Sequence, residues 1–454
     1  MRQEHVTVIG GGLAGSEAAM QLASQNIPVR LYEMRPVKRT EAHSTAQLAE
    51  LVCSNSLGSL SENTASRILK DELQALGAFV LSEAFAHAVP AGASLAVDRE
   101  LFSQSITQKI EAHPLIELMR EELTALPENG LVVVASGPLT SKSLCDQLIS
   151  LTGSQSLYFY DAISPIVSLD SLDLSKMYYA SRYGKGDPDF LNIPLDKEQY
   201  FSFVEQLTQA EVVLAHNFEE EKYFESCLPI ETIASRGPLT LAFGPMKPVG
   251  LDDPKTGRRP FAVIQLRTEN RFRTAYNLVG FQTKMKYGEQ QRIFKMLPGM
   301  EEAEFLRLGS MHRNTYIDSP RVLLPTLQLK NHSRILIAGQ LTGTEGYLES
   351  SATGWLAGTN AARIYKGLWP VVLPPETMLG GLVSAITDSE RKVFQPMNSN
   401  MGILPPTEVV IRKNKPARNL AFSERSKAKL SEWIQSNSPQ GQSKSAPELL
   451  VTGM

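Results

Sequence analysis

Val6-Thr-Val-Ile-Gly-Gly-Gly-Leu-Ala-Gly15, continued by Ser16 to Gln25 and by Val29-Arg-Leu-Tyr-Glu33, decides the fold. The first four residues form a β-branched run of the kind found in buried parallel strands. Ala18, Ala19, Leu22 and Ala23 then recur at helical spacing, and a second short strand ends at Glu33. Between strand and helix lies GxGxxG, with Gly10, Gly12 and Gly15 in the three glycine positions and Gly11, Leu13 and Ala14 completing the loop. Gly10 allows the tight turn, Gly12 lets a pyrophosphate approach the backbone, and Gly15 lets helix and strand pack closely. The diphosphate belongs at the helix N-terminus, where free N–H groups and the macrodipole favour negative charge. Glu33, about 20 residues on, is placed to accept from both hydroxyls of an adenosine ribose.

A partner element lies far downstream. Arg334-Ile-Leu-Ile-Ala-Gly-Gln340 reads as a last buried strand, followed by a glycine-rich loop from Leu341 to Thr353 and a small-residue helix from Gly354 to Tyr365. Gly339 and Gln340 would meet the same cofactor from its other end, with Tyr347 in the loop available to stack on a flavin or pterin, or to pack beneath the loop. Leu131-Val-Val-Val-Ala135, ending in Ser136-Gly137-Pro138, supplies a further strand. Two half-sites from opposite ends of a chain imply a large cofactor bound along its length, which favours FAD over NAD.

The predicted class is therefore α/β, a Rossmann-like FAD-binding domain of the glutathione-reductase-like kind built from residues 1–168 and 285–435. An α+β insertion is predicted over 169–284, from the helix Lys197 to Gln209, the strands Phe261 to Arg267 and Thr274 to Phe281, and the loop Phe243-Gly-Pro-Met-Lys-Pro-Val-Gly250. Residues 436–454, rich in Ser, Gln and Pro, are expected to be disordered.

The 454 residues carry a net charge of −3, so any polyanion site must be a local patch. Three cysteines are too few and scattered for a disulfide framework or a zinc site, and no metal spacing occurs among the histidines. No apolar run approaches the ~18 residues of a membrane helix. The first strand begins too early for a signal peptide, and the expected compartment is the cytoplasm.

Cys53 stands out among the thiols. Ala46 to Val52 reads as a helical turn or two that delivers it into Ser54-Asn-Ser-Leu-Gly-Ser59, a turn-rich loop whose N–H groups would favour a thiolate. Cys145 lies in an amphipathic run and reads as packed. For Cys227, near Arg236, the residues alone leave a structural and a chemical role open. The insertion carries Arg236, Lys247, Arg258 and Arg259, with further Arg and Lys interleaved with Phe243, Phe261, Phe272 and Tyr276. That pattern suits RNA with exposed bases, and equally a solvated basic face.

With these residues in view, the chain resembles the folate- and FAD-dependent tRNA (uracil-5-)-methyltransferases. The resemblance runs from the first strand to about Leu404. It is carried by the fingerprint, Leu31-Tyr-Glu-Met-Arg-Pro-Val37, Glu50-Leu-Val-Cys-Ser-Asn-Ser-Leu57, the Phe243 to Gly250 loop, Met311-His-Arg-Asn-Thr315, Ala338-Gly-Gln340 and Glu345-Gly-Tyr347. It implies FAD, NADPH or NADH as reductant, 5,10-methylenetetrahydrofolate as one-carbon donor, and 5-methyluridine at position 54 in the T loop of tRNA as product. It also implies that Cys53 and Cys227 are the catalytic thiols; Arg236, Lys247, Arg258 and Arg259, from the basic insertion, are the candidates for facing tRNA. Pro238 and Leu239 depart from the basic residues relatives often carry there, and Ser136 stands where threonine is usual.

The chemistry agrees. Uracil C5 becomes nucleophilic when a thiolate adds at C6, and a folate methylene is one hydride short of a methyl group, so a reducing cofactor is required. Cys227, in the RNA-facing insertion, is the expected nucleophile, with Cys53 closer to the flavin. The competing readings are wobble-uridine modification by a related flavoprotein, a generic NAD(P)H flavin oxidoreductase, and a non-catalytic RNA-binding flavoprotein. No membrane or DNA partner is expected, and the oligomeric state stays open.

Overall fold

The computed structural model describes residues 4–40, 42–153, 157–213, 228–391, 394–407 and 414–437. Its central element is a six-stranded sheet in the order Gln328–Leu329, His332–Ile337, Val132–Val134, Val6–Ile9, Val29–Tyr32, Ile116–Met119. All neighbours run parallel except Gln328–Leu329, which pairs antiparallel at the edge. Val6, Val8, Val132, Val133 and Val134 are wholly buried, as strands covered on both faces require.

The helix Leu13–Ser24 follows the first strand and packs against the long helix Tyr347–Tyr365. Small residues set that approach. A Cβ on Gly354 would lie 2.4 Å from the Ala14 carbonyl oxygen, and one on Gly358 would lie 2.8 Å from Ala18 Cα. The long helix begins at Tyr347 rather than at Gly354, so Tyr347 sits in its first turn.

A second, antiparallel sheet has the order Tyr178–Tyr179, Leu191–Leu195, Ala262–Thr268, Ala275–Leu278, Ile166–Ser168, Phe305–Arg307. It has its own core, in which Tyr200 and Phe203 of the helix Lys197–Gln209 gather with Phe281 and Phe294. Asp196 and Gln199 close a capping box at the start of that helix. Ile166–Ser168 and Phe305–Arg307 lie outside 169–284, because strand pairing, which composition does not register, draws both flanks into the sheet.

Two local expectations are corrected. Ala46 to Val52 is irregular, with Ala49 in the left-handed region at φ 52°. Tertiary hydrogen bonds outweigh helix propensity there: Leu48 N–H donates to Thr107 Oγ1, Ala49 N–H to the Gly11 carbonyl, and the Glu50 carboxylate collects donors from Ser44, Thr45 and Arg35. Ser56–Ser59 is a strand of a small sheet with Ser94–Val97 and Ala88–Val89. At the far end, Ser436 and Asn437 finish the helix Lys415–Asn437, while 438–454 lie outside the described residues.

Candidate functional site

The fingerprint opens onto a cavity of about 1040 Å³. A Cβ built on Gly12 meets nothing within 4 Å, so the backbone faces open space at the start of the helix. Gly15 has the opposite surroundings, since its Cβ would fall 1.8 Å from the Gly10 carbonyl oxygen. Gly10 itself takes φ +102°, a conformation that side chains rarely adopt. Glu33 lines one end of this cavity, and Gly339, Gln340 and Tyr347 line another part. Its helix N-terminus and the bare backbone at Gly12 suit an anionic cofactor.

Glu33 is held more tightly than the sequence implied. Its Oε1 accepts from Arg35 N–H at 3.0 Å and Arg35 Nε at 2.9 Å; its Oε2 accepts from Gly11 N–H at 3.0 Å and Arg35 Nη2 at 3.3 Å. Burial opposes the charge, but the Arg35 guanidinium and these N–H groups outweigh it and hold the carboxyl below its ordinary range. Arg35 also pairs with Glu50 at 3.0 Å. His43 lines the same cavity as a neutral imidazole, pushed down to about 4 by burial and by Arg35.

A second cavity of about 750 Å³ adjoins the first, and the two share Val52, Pro138, Leu139, Gln340 and Tyr347 in their walls. Cys53 lines the second cavity with Ser54, Asn314 and Glu345. Tyr347 links the two: it lines both, and its Oη accepts from Cys53 N–H at 2.7 Å and Ser54 N–H at 3.2 Å. Burial, then the charge of Cys53, pushes the Tyr347 phenol well above its ordinary value, so it stays neutral.

These N–H groups are therefore spent on Tyr347, and the positive field at the thiol has another source. Arg99, Arg267 and Arg307 all interact electrostatically with Cys53. Arg99 donates to the Leu51 carbonyl at 2.5 Å and the Cys53 carbonyl at 3.0 Å, and forms an ion pair with the buried Glu269. Arg267 donates to Asn55 Oδ1 at 2.9 Å and Ser54 Oγ at 3.2 Å. Three guanidinium groups thus act on Cys53, whose Sγ donates to the Ala162 carbonyl at 3.9 Å.

The GIDA family description, "Glucose inhibited division protein A", matches residues 5–368. The methylenetetrahydrofolate--tRNA-(uracil-5-)-methyltransferase TrmFO of Pelobacter propionicus is 56% identical over 436 residues, spanning 96% of this chain and 95% of its own. The protein of the same name from Geobacter sulfurreducens is 55% identical over 430 residues, spanning 94% and 98%. The chain belongs to the TrmFO family. Among solved structures, Aquifex aeolicus GidA in its form II crystal matches with a TM-score of 0.69 at 17% identity, covering 97% of this chain and 75% of that one, a likeness of fold.

In this TrmFO-family chain, the sequence-derived residues Gly10, Gly12, Leu13, Ala14, Glu33, Gly339, Gln340 and Tyr347 come together on the larger cavity. Gly11 and Gly15 lie behind it in the packing between Leu48, Glu33 and the first turn. Cys53 is next door. Cys227 falls outside the described residues. Arg236, Lys247, Arg258 and Arg259 are all exposed on the antiparallel domain; Arg259 pairs with Asp252 at 3.1 Å, and none of the four lines either cavity. Sequence reasoning missed Arg35, Arg99, Arg267 and Arg307 as parts of the site. The signal for the first was present, since Arg35 follows Glu33 by two positions.

Proposed function

We propose that this protein is an FAD-dependent tRNA (uracil-5-)-methyltransferase that uses 5,10-methylenetetrahydrofolate, with NADPH or NADH as reductant, to make 5-methyluridine at position 54 of the T loop. The observation that carries this reading is the adjacency of the two cavities, one with the features of a flavin-nucleotide site and the other lined by Cys53. FAD, once reduced, supplies the hydride that converts the folate methylene into a methyl group. The cytoplasm is the compartment this reading assigns.

The larger cavity would hold the diphosphate against Gly12 and the helix N-terminus. A carboxylate offers about four lone-pair positions, and four protein donors already point at Glu33. Ribose hydroxyls would therefore compete with the longest of these contacts, from Arg35 Nη2. In the smaller cavity Cys53, with Arg99, Arg267 and Arg307 acting on it, is assigned to accept the C5 proton of the uracil. Cys227 is assigned as the thiolate that adds to C6 of a uridine turned out of its loop. Arg236, Lys247, Arg258 and Arg259 are assigned to the tRNA phosphates.

The test is an omission series on an unmodified tRNA transcript. Methylation should require folate and reductant, proceed without S-adenosylmethionine, and vanish when uridine 54 is replaced by cytidine. Methylation that needs S-adenosylmethionine, or that persists on the cytidine transcript, would sink the proposal.

A further inference from the structure

The antiparallel sheet sends a hairpin, running from the strand Ala262–Thr268 to the strand Ala275–Leu278, to the segment that carries Cys53. The base of the hairpin is bonded there residue by residue. Arg267 donates to Asn55 and Ser54, and the Thr268 carbonyl accepts from Asn55 Nδ2 at 3.0 Å. Glu269 pairs with Arg99, which holds the Cys53 carbonyl. Arg271 N–H donates at 2.9 Å to Asp98 Oδ2, while the other oxygen of Asp98 caps the helix Arg99–Glu111.

The tip of the hairpin has a different character from its base. Arg271, Phe272, Arg273 and Thr274 are all exposed, and Phe272 is 80% exposed. Arg273 reaches Asp189 at 3.7 Å, and the Asn270 side chain bonds Thr274 N–H and Oγ1, which fixes the turn. A large aromatic ring left mostly in water, with an arginine on either side of it in sequence, buries little apolar area and contributes little to the fold. Held on a rigid turn, it is an open stacking surface flanked by phosphate-binding groups, the pairing of features used to grip unstacked nucleotides.

We propose that the Arg271-Phe272-Arg273 tip grips the RNA strand beside the target uridine, with Phe272 stacked on a neighbouring base and the two arginines on the flanking phosphates. This rests on the tRNA reading above and adds a subsite that orients the strand relative to the Cys53 cavity. Because the hairpin base is bonded to residues 54, 55, 98 and 99, a strand held at the tip is held in register with Cys53. Phe272 is a positioning residue that touches the RNA without touching the reacting atoms.

The experiment measures binding of the FAD-loaded protein to a tRNA transcript at several salt concentrations, for wild type, Phe272→Ala, Phe272→Trp and the pair Arg271→Ala with Arg273→Ala. Loss of one stacked base weakens binding by roughly 5- to 150-fold. Phe272→Ala should show this loss with an unchanged salt slope, and Phe272→Trp should restore affinity. The arginine pair should reduce the slope of log affinity against log salt by up to about 0.7 per lost contact. In turnover, Phe272→Ala should raise KM for tRNA more than it lowers kcat. Wild-type affinity in Phe272→Ala, or an equal loss in Phe272→Trp, would overturn the stacking subsite while leaving the methyltransferase reading standing. Failure of the wild type itself to bind the transcript would overturn both.

Discussion

Tyr347→Phe isolates one oxygen atom at the boundary between the cavities. The phenyl ring of this residue, which lines both, is kept; Oη, which accepts from Cys53 N–H at 2.7 Å and Ser54 N–H at 3.2 Å, is lost. A typical hydrogen bond contributes about 1 kcal/mol net, and a buried donor left without an acceptor costs about 1–3 kcal/mol. Two donors share this acceptor, and Tyr347 is half-buried, so water can partly replace it. The docked position of the Cys53 segment should therefore weaken by about 2 kcal/mol, a factor of roughly 30 in its docking equilibrium constant. In single-turnover methylation of a transcript the rate should fall by up to that factor, while NADPH or NADH still reduces the bound flavin at the wild-type rate. Alkylation of Cys53 by iodoacetamide should change with it. Tyr347→Ala removes the wall as well, and should impair both reactions. If Tyr347→Phe methylates within about twofold of wild type, the hydroxyl does not hold the catalytic segment and the reasoning fails.

Other outcomes follow from the same geometry. Gly12→Val should abolish the yellow flavin spectrum, because the new side chain enters the open space in front of the helix N-terminus; a variant that retains stoichiometric FAD would show the fingerprint to be misread. With an RNA carrying 5-fluorouracil at the target, wild type and Cys53→Ala should form a covalent adduct and Cys227→Ala should not; loss confined to Cys53→Ala would reverse the two roles. Glu72, buried, accepts from Met378 N–H, Leu379 N–H and the Ser426 hydroxyl, so it joins the helices Met378–Ile386 and Lys415–Asn437 to the flavin domain. Burial raises its carboxyl from 4.5 to about 7, so the folded chain holds that proton more tightly, and this contribution to stability, present below pH 4.5, is lost as pH rises through 7. The gap is worth about 3 kcal/mol, and hydrogen exchange at the start of Met378–Ile386 should accelerate between pH 5 and pH 8, after correction for intrinsic exchange, in wild type but not in Glu72→Gln; equal profiles would discount the carboxyl.

The nucleotide half of the site was legible because it is local. Strand, glycines, helix and Glu33 lie within thirty-odd residues, and the physics of each position is set by its immediate neighbours. The surroundings of Cys53 were not legible in the same way. Arg267 reaches Asn55 across 212 residues and Glu269 reaches Arg99 across 170, so two of the charges acting on Cys53, Arg267 and Arg307, come from strands of the antiparallel sheet and the third, Arg99, is held by it. The same long-range contacts turned Ala46 to Val52 from an expected helical segment into an irregular one pinned by Thr107, Gly11 and Arg35. Composition registered a change of texture over 169–284, but strand register brought Ile166–Ser168 and Phe305–Arg307, outside that range, into the antiparallel sheet.

The central claim is that flavin, folate carbon and uridine meet where the two cavities join. Its most direct test is a single anaerobic turnover. The flavoprotein is reduced, excess reductant is removed, and methylenetetrahydrofolate labelled in its methylene carbon is added with a T-loop transcript. The account predicts labelled 5-methyluridine at position 54 in amounts stoichiometric with the flavin oxidised, with tetrahydrofolate as the other product. Unmodified uridine at that position, or flavin that stays reduced while methyl groups accumulate, would contradict it.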